Sequence, residues 1–261
     1  MTVNDQIEKI TLFTLNIEGD RHLERLQKFI TEYSPTILTL QEIFQRDAEM
    51  IAKKYCYNCH YLALTLAKTK TEPIQEHPWG LAILTKLTVK SIQNFCYVGE
   101  NLPVQSFAFD KHPNDDCLRR GFINLELASS AGRSIRIMTT KFTWTPDSKA
   151  SEEQRQDLVA FHDYLRQYTS FILAGDFNAP RGGEIYTKIK DNYIDWLPAN
   201  IKSTLDPELH KVGNLELAVD SIFSTSDYQL ESVEVKTGLS DHCGILATIK
   251  VLAETEPTIP E

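Results

Sequence analysis

Short apolar runs alternate with helical periodicities near both ends of the chain. Ile10 to Leu15 (ITLFTL) is continuous and rich in β-branched residues, the pattern of a fully buried strand. From Asp20 to Tyr33, Leu23, Leu26, Phe29 and Ile30 recur at helical spacing, with Asp20 as the expected N-cap. Pro35 stops that helix, Thr36 to Leu40 (TILTL) reads as a second short strand, and Arg46 to Tyr55 as a second helix. The middle is richer in strands, at His60 to Leu66, Gly80 to Leu84, Gly121 to Leu127 and Ile135 to Thr140. Polar loops separate them, including a long one through His112, Pro113, Asn114 and Asp115. A helix from Ser151 to Gln167 carries Leu158, Phe161 and Leu165 on one face, and Ser151 with Glu153 and Gln154 resembles a capping sequence. A strand at Ser170 to Ala174, a short helix after Gly183, and strands at Val219 to Phe223, Leu230 to Val235 and Gly244 to Val251 complete the pattern.

No linker, repeat or composition shift divides the chain. The expectation is a single α/β domain over residues 1–261, its core at about 8–251, with mixed sheets and a mobile acidic tail at 252–261. Hydrophobic residues at 42% and charged residues at 24% allow a sizeable core and exclude wholesale disorder. The net charge of −9 argues against tight nonspecific binding along duplex DNA, where counterion release supplies the affinity. It leaves room for local recognition of phosphate. MTVNDQIEK has neither a basic n-region nor an apolar h-region, and no run approaches the roughly 18 apolar residues of a membrane span. No integral membrane segment is expected, the expected compartment is the cytoplasm, and a monomer is expected. Five cysteines are too few and too scattered for a disulfide framework.

Cys56-Tyr57-Asn58-Cys59-His60 matches the CxxCH haem-attachment pattern. That reading requires export, for which no signal is visible, and no second CxxC supplies a zinc site. The pair reads as ordinary buried or half-buried thiols entering a strand, with a redox pair as the alternative.

Polar residues cluster where apolar strands end, which is where α/β folds place their sites. Asn16 follows ITLFTL, Glu42 follows TILTL, and Asp176 and Asn178 follow SFILAG. Asp220 opens DSIF, and Asp241 and His242 precede the last strand in GLSDHCG. Each alone could be a turn or cap residue. Together they form an inventory suited to phosphoester hydrolysis, which must neutralise phosphoryl oxygens, position a water in line and assist the leaving oxygen. Glu42 among oxygen donors suits a hard cation, Mg²⁺ rather than Zn²⁺, with Mn²⁺ able to substitute.

The ordered series LNIEGD, LQEIF, GDFNAP, DSIF and SDHCGI resembles the exonuclease–endonuclease–phosphatase superfamily, the DNase I-like family, from Ile10 to Ile249. The resemblance implies a four-layer α/β sandwich, two mixed β-sheets between outer helices, with the site at one rim. It implies that Glu42 is the metal carboxylate, with Asn16 beside it and Asp241 binding or orienting metal. Asp176 then orients or deprotonates the attacking water, and Asn178 fixes water and phosphate. His242 serves as general base or phosphate donor, and Asp220 holds its tautomer. One position departs from the family pattern. Where relatives usually carry T-H-L or T-H-F, this chain has Thr140-Lys141-Phe142, so Lys141 stands in place of a histidine and offers positive charge to a phosphoryl oxygen.

The substrate is less defined. Arg181, just past GDFNAP, could touch a phosphate or headgroup, as could Arg119 and Arg120. Trp79 and Trp144 could stack on a base or ring. The only dense lysine segment is AKTKTE, with Lys68 and Lys70. The first expectation is a Mg²⁺-dependent phosphodiesterase or phosphatase acting on a small molecule, lipid headgroup or nucleic acid. The alternatives are a nuclease of the same fold, or a binding or regulatory protein weakened in catalysis by Lys141.

Overall fold

The computed structural model describes residues 8–70, 72–100, 103–106, 119–130 and 132–251. The loop through His112 to Asp115, Cys117 and the tail at 252–261 lie outside the described residues. The elements in chain order are β1 (Glu8–Asn16), α1 (Leu23–Tyr33), β2 (Ile37–Phe44), α2 (Gln45–Tyr55), β3 (Asn58–Lys68), β4 (Glu76–Thr85), β5 (Thr88–Val98) and β6 (Arg120–Ala128). Then follow β7 (Ser134–Lys141), α3 (Glu152–Leu165), β8 (Ile172–Asp176), α4 (Glu184–Lys190), β9 (Ile194–Asp195), β10 (Asp220–Ser224), β11 (Tyr228–Lys236) and β12 (Gly244–Val251).

The strands form two mixed six-stranded sheets, β11-β12-β1-β2-β4-β3 and β5-β6-β7-β8-β10-β9. Three apolar clusters show how they stack. Ile10, Leu12 and Ile37 of the first sheet meet Ile123, Ile137, Ile172 and Ile222 of the second. On the outer face of the first sheet, Phe13, Leu15, Leu38 and Leu40 pack on Leu26, Phe29 and Ile51 of α1 and α2. On the outer face of the second, Met138, Leu173 and Phe223 pack on Leu158, Phe161, Ile185 and Ile189 of α3 and α4. The result is the four-layer α/β sandwich. Both sheets are buried on two faces, which is why strands such as ITLFTL read as continuous apolar runs. Burial of each such Leu, Ile or Phe side chain contributes about 1.5–3 kcal/mol.

Two local expectations are corrected. Asp20 does not cap α1, whose N-cap is His22 without a side-chain hydrogen bond. Its Oδ1 instead accepts from the Lys70 backbone N–H at 3.0 Å, tethering the β3–β4 loop. Strand β2 runs on beyond Leu40 to Phe44 by way of a bulge. Ser151 caps α3 as its sequence implies, accepting from Gln154 N at 3.0 Å. Cys56 and Cys59 are free thiols, Cys56 exposed where burial was expected and Cys59 half-buried, and burial pushes Cys59 up to about 11, which suppresses its thiolate.

Candidate active site

The two-residue period of the strands aims the chemistry. Ile10 and Leu12 of β1 face the second sheet, so Asn16, two steps past Thr14, faces it too. Ile135 and Ile137 of β7 face the first sheet, and Thr139 and Lys141 continue that row. Ile172 and Ala174 of β8 lead in the same way to Asp176, and Asp220 lies two residues before inward-facing Ile222 on β10. β1 and β2 run parallel, as do β7 and β8, whereas β10 and β12 run against their neighbours. The C-terminal ends of the first four and the N-terminal ends of the last two therefore share one rim.

Glu42 reaches this rim through a bulge. In the β2–β4 pairing Gln41 opposes Leu81 and Ile43 opposes Gly80, so Glu42 is the extra residue, at φ 57°. Leu38 and Leu40 face α1 and α2, and so does Ile43, three residues on. The bulge restores that face for Ile43 and frees Glu42 from the alternation. Gly80 is required opposite it, because a Cβ there would lie 2.0 Å from the Leu62 carbonyl oxygen.

Hydrogen bonds join the two sheets at the rim. Asn16 Nδ2 donates to Glu42 Oε1 at 2.9 Å and to Asp176 Oδ2 at 3.1 Å, and its Oδ1 accepts from Glu18 N at 3.2 Å. The amide is thus a bracket between carboxylates of opposite sheets. Asp176 Oδ1 accepts from Asn178 N at 2.8 Å. Asn178, at φ 48°, donates through Nδ2 to the Phe142 carbonyl at 2.7 Å. Lys141 contacts Glu42 Oε1 in an ion pair across the sheets, with its ammonium 5.2 Å from the Trp79 ring centre. His242 Nδ1 pairs with Asp220 Oδ2 at 2.8 Å.

Sequence reasoning missed Thr204. Its Oγ1 donates to Asp220 Oδ2 at 2.7 Å and accepts from the N–H groups of Val219 and Asp220. It lies in irregular chain 16 positions before Asp220, where no local pattern announces it. Ser240 similarly donates to Asp241 Oδ1 at 2.9 Å.

Burial opposes charge on both members of the His242–Asp220 pair. For the histidine, the Asp220 charge and hydrogen bond outweigh burial, helped by Asp176 and Asp241, and the imidazole is pushed up to about 9. Burial pushes the Asp220 carboxyl up, partly opposed by His242. With Nδ1 bonded to Asp220, Nε2 is the ring nitrogen left for the cavity. Burial pulls the Lys141 ammonium below its ordinary value, against the charges of Asp176, Asp241 and Asp220.

A cavity of about 690 Å³ opens on this rim. Glu42, Lys141, Asp176, Asn178, Asp241 and His242 line it. Asn16 and Asp220 lie behind that wall, 1% and 2% exposed, each bonded to a residue that lines it. Trp144 and Trp79 are on the wall, as are Lys68, Lys70, Arg21 and Lys211. Arg21 and Lys211 flank Glu18, at 3.3 and 3.7 Å. Arg181 is not on the wall. Its guanidinium donates to the carbonyls of Leu197, Pro198 and Ile201 and lies 3.7 Å from Asp195, so it braces the chain after β9 instead of facing a ligand. Arg119 and Arg120 are also absent from the wall.

The donor set fits a hard divalent cation. Glu42, Asp176 and Asp241 bring carboxylates to one wall, and no thiol among the described residues lines it. Asp176, Asp220 and His242 also place ligand atoms within 4.8 Å of one another. Two of these three are the hydrogen-bonded pair, so the cluster does not coincide with the expected set of Glu42, Asn16 and Asp241. Asn16 turns its Nδ2 to the carboxylates and its Oδ1 to the Glu18 N–H.

Comparison with known proteins gives this arrangement a context. The model of the endonuclease/exonuclease/phosphatase family matches residues 13–242. No curated protein matches the chain significantly in sequence. Solved structures match its fold. An endonuclease/exonuclease/phosphatase from Bacteroides vulgatus superposes with a TM-score of 0.69 at 17% identity, covering 94% of this chain and 99% of its own. ANGEL2, described as a 2',3'-cyclic phosphatase, gives 0.68 at 13% identity, over 94% and 96%. The human nocturnin catalytic domain, solved with a bound sulfate, gives 0.66 at 17% identity, over 94% and 96%.

Proposed function

The chain belongs to the endonuclease/exonuclease/phosphatase family, and from that premise we propose that it is a metal-dependent phosphoesterase that cleaves its substrate by in-line attack of water. The observation that carries this reading is the convergence of Glu42, Lys141, Asp176, Asn178, Asp241 and His242 on one cavity wall. Asn16 ties two of their carboxylates together, and Asp220 backs the histidine.

The roles follow from geometry and charge. Glu42 and Asp241 would hold Mg²⁺ or Mn²⁺, which when bound supplies positive charge to the phosphoryl oxygens. Asp176 is held at both oxygens by Asn16 and Asn178 N–H, which fixes the carboxylate that accepts a proton from the attacking water. Asp220 holds His242 by Nδ1, which leaves Nε2 on the cavity side, placed to donate to a phosphoryl oxygen. Asp220 and Thr204 hold that imidazole in place without touching substrate.

The cavity favours a compact anionic substrate bearing a ring. Its volume suits one small molecule. Trp79, Trp144 and Phe44 offer stacking faces, and Lys68 and Lys70 add charge on the wall. A nucleotide or an oligonucleotide end fits these features better than a long duplex does, given the net charge of −9. The likeness to ANGEL2, described as a 2',3'-cyclic phosphatase, supports the same class.

The test is a turnover panel on chelator-stripped protein. It covers p-nitrophenyl phosphate, its bis ester, mononucleotides and cyclic nucleotides, single- and double-stranded DNA, inositol phosphates and sphingomyelin. Turnover of at least one member in Mg²⁺ or Mn²⁺, abolished by EDTA, is expected. Equal turnover with and without EDTA would remove the metal, and no turnover anywhere would favour a binding protein.

A further inference from the structure

We propose that Lys141 is a built-in cation of the active site that competes with the divalent metal for Glu42, so that metal binding requires the ammonium to leave that carboxylate. The inference rests on the metal-dependent reading above and concerns how the chain controls its own metal affinity.

The placement of Lys141 is specific. It ends the inward row of β7, where the apolar core between the sheets gives way to the polar rim. Its stem spans the gap between the sheets and brings Nζ onto Glu42 Oε1. Only 9% of the residue is exposed, so water does not screen this pair as it would a surface ion pair. The Trp79 ring, 5.2 Å from the ammonium, adds a second attraction at the same place. The bulge, with Glu42 at φ 57°, sets the backbone from which its side chain enters the cleft.

Charge makes the competition real. Glu42, Asp176 and Asp241 line the cavity with Asp220 behind them, and Lys141 is in ion-pair contact with Glu42 and attracted by the other three. A divalent ion on Glu42 and the ammonium on Glu42 repel each other at short range in a poorly screened site. The displaced ammonium has somewhere to go, since Asp176 and Asp220 also attract it. A neutral side chain at this position would leave Glu42 with the Asn16 amide but with no cation for the metal to displace. The lysine instead makes binding an exchange of one cation for another, which weakens metal affinity and leaves a positive group in the cleft afterwards.

The test measures metal binding itself. Mn²⁺ binding to purified wild type, Lys141→Met and Lys141→Arg is followed by electron paramagnetic resonance of the free ion, without substrate. Lys141→Met keeps the apolar stem and removes the charge, so it should bind Mn²⁺ at least about tenfold tighter than wild type. Lys141→Arg keeps the charge and should remain within about threefold of wild type. Lys141→Met binding no tighter than wild type would overturn the proposal. In wild type itself, the ¹⁵Nζ resonance of Lys141, assigned by its loss in Lys141→Arg, should shift on titration with Mg²⁺ and saturate with metal occupancy. An unmoved resonance at saturating Mg²⁺ would overturn it even if Lys141→Met failed to fold. Turnover plays no part in these readouts, so failure of the phosphoesterase reading on the substrate panel is seen separately.

Discussion

Replacing Asp220 by asparagine asks whether the His242 proton is held by charge. In the wild type the imidazole is pushed up to about 9 although burial pulls it the other way. The amide keeps the shape and can still accept from Nδ1, and it can still accept from Thr204 Oγ1, but it carries no charge. Burial then acts with only the more distant Asp176 and Asp241 against it, and His242 should titrate at or below the ordinary 6.5. The fall of at least about 2.5 pH units corresponds to about 3 kcal/mol of lost preference for the imidazolium. It has a stability counterpart. Because the folded-state value exceeds the unfolded one, the charged pair's contribution is complete below about pH 6.5 and is lost as pH rises through about 9. Asp220→Asn should remove that dependence. The assay is a ¹H–¹⁵N long-range correlation spectrum of the imidazoles between pH 5 and 10 in EDTA, with His242 assigned by its loss in His242→Gln. A wild-type His242 titrating near 6.5, or an Asp220→Asn value unchanged from wild type, would refute the reasoning.

Three further outcomes are expected. Thr204→Val removes the hydroxyl that serves Asp220 Oδ2 and two backbone N–H groups, so urea unfolding should show a loss of about 1–3 kcal/mol, and turnover should fall with it; an unchanged midpoint would contradict this. Arg181→Ala should lower the melting temperature while leaving KM for any turned-over substrate within about twofold, because its guanidinium serves the carbonyls of Leu197, Pro198 and Ile201; a raised KM at unchanged melting temperature would return Arg181 to the cleft. Gly175→Ala would place a Cβ 2.1 Å from the Thr140 carbonyl oxygen, forcing β7 from β8 beside Lys141 and Asp176, and should cost more than about 3 kcal/mol; a fully stable variant would mean that the two strands pair differently.

What was legible in the sequence follows from what each element buries. Strands covered on both faces, such as ITLFTL and FILAG, announce themselves as apolar runs, and the polar residues at their ends marked the rim. β5 was missed because it is an edge strand, its TVKSIQNFCYV largely exposed, so no apolar run marks it. The bulge at Glu42 carries no glycine, and nothing in LQEIF shows that the chain turns to a positive φ there. Arg181 was misplaced because adjacency to GDFNAP says nothing of direction. The chain after Asn178 turns away from the cleft, and Arg181 N bonds to Ala218 O instead. Lys141 was legible as a departure from the family pattern, but its partner Glu42 lies on the other sheet, and only the folded chain joins them.

Asp176 is assigned to the attacking water and His242 to a phosphoryl oxygen of the same phosphoester. Hydrolysis in H₂¹⁸O by wild type, Asp176→Asn and His242→Gln tests this assignment most directly, on whichever panel substrate turns over fastest in Mg²⁺. Wild type should place one ¹⁸O in the phosphoryl product, and both variants should lower the rate by about a hundredfold or more at unchanged fold. Wild-type rates retained within about twofold in either variant, or a phosphoryl product without ¹⁸O, would contradict it.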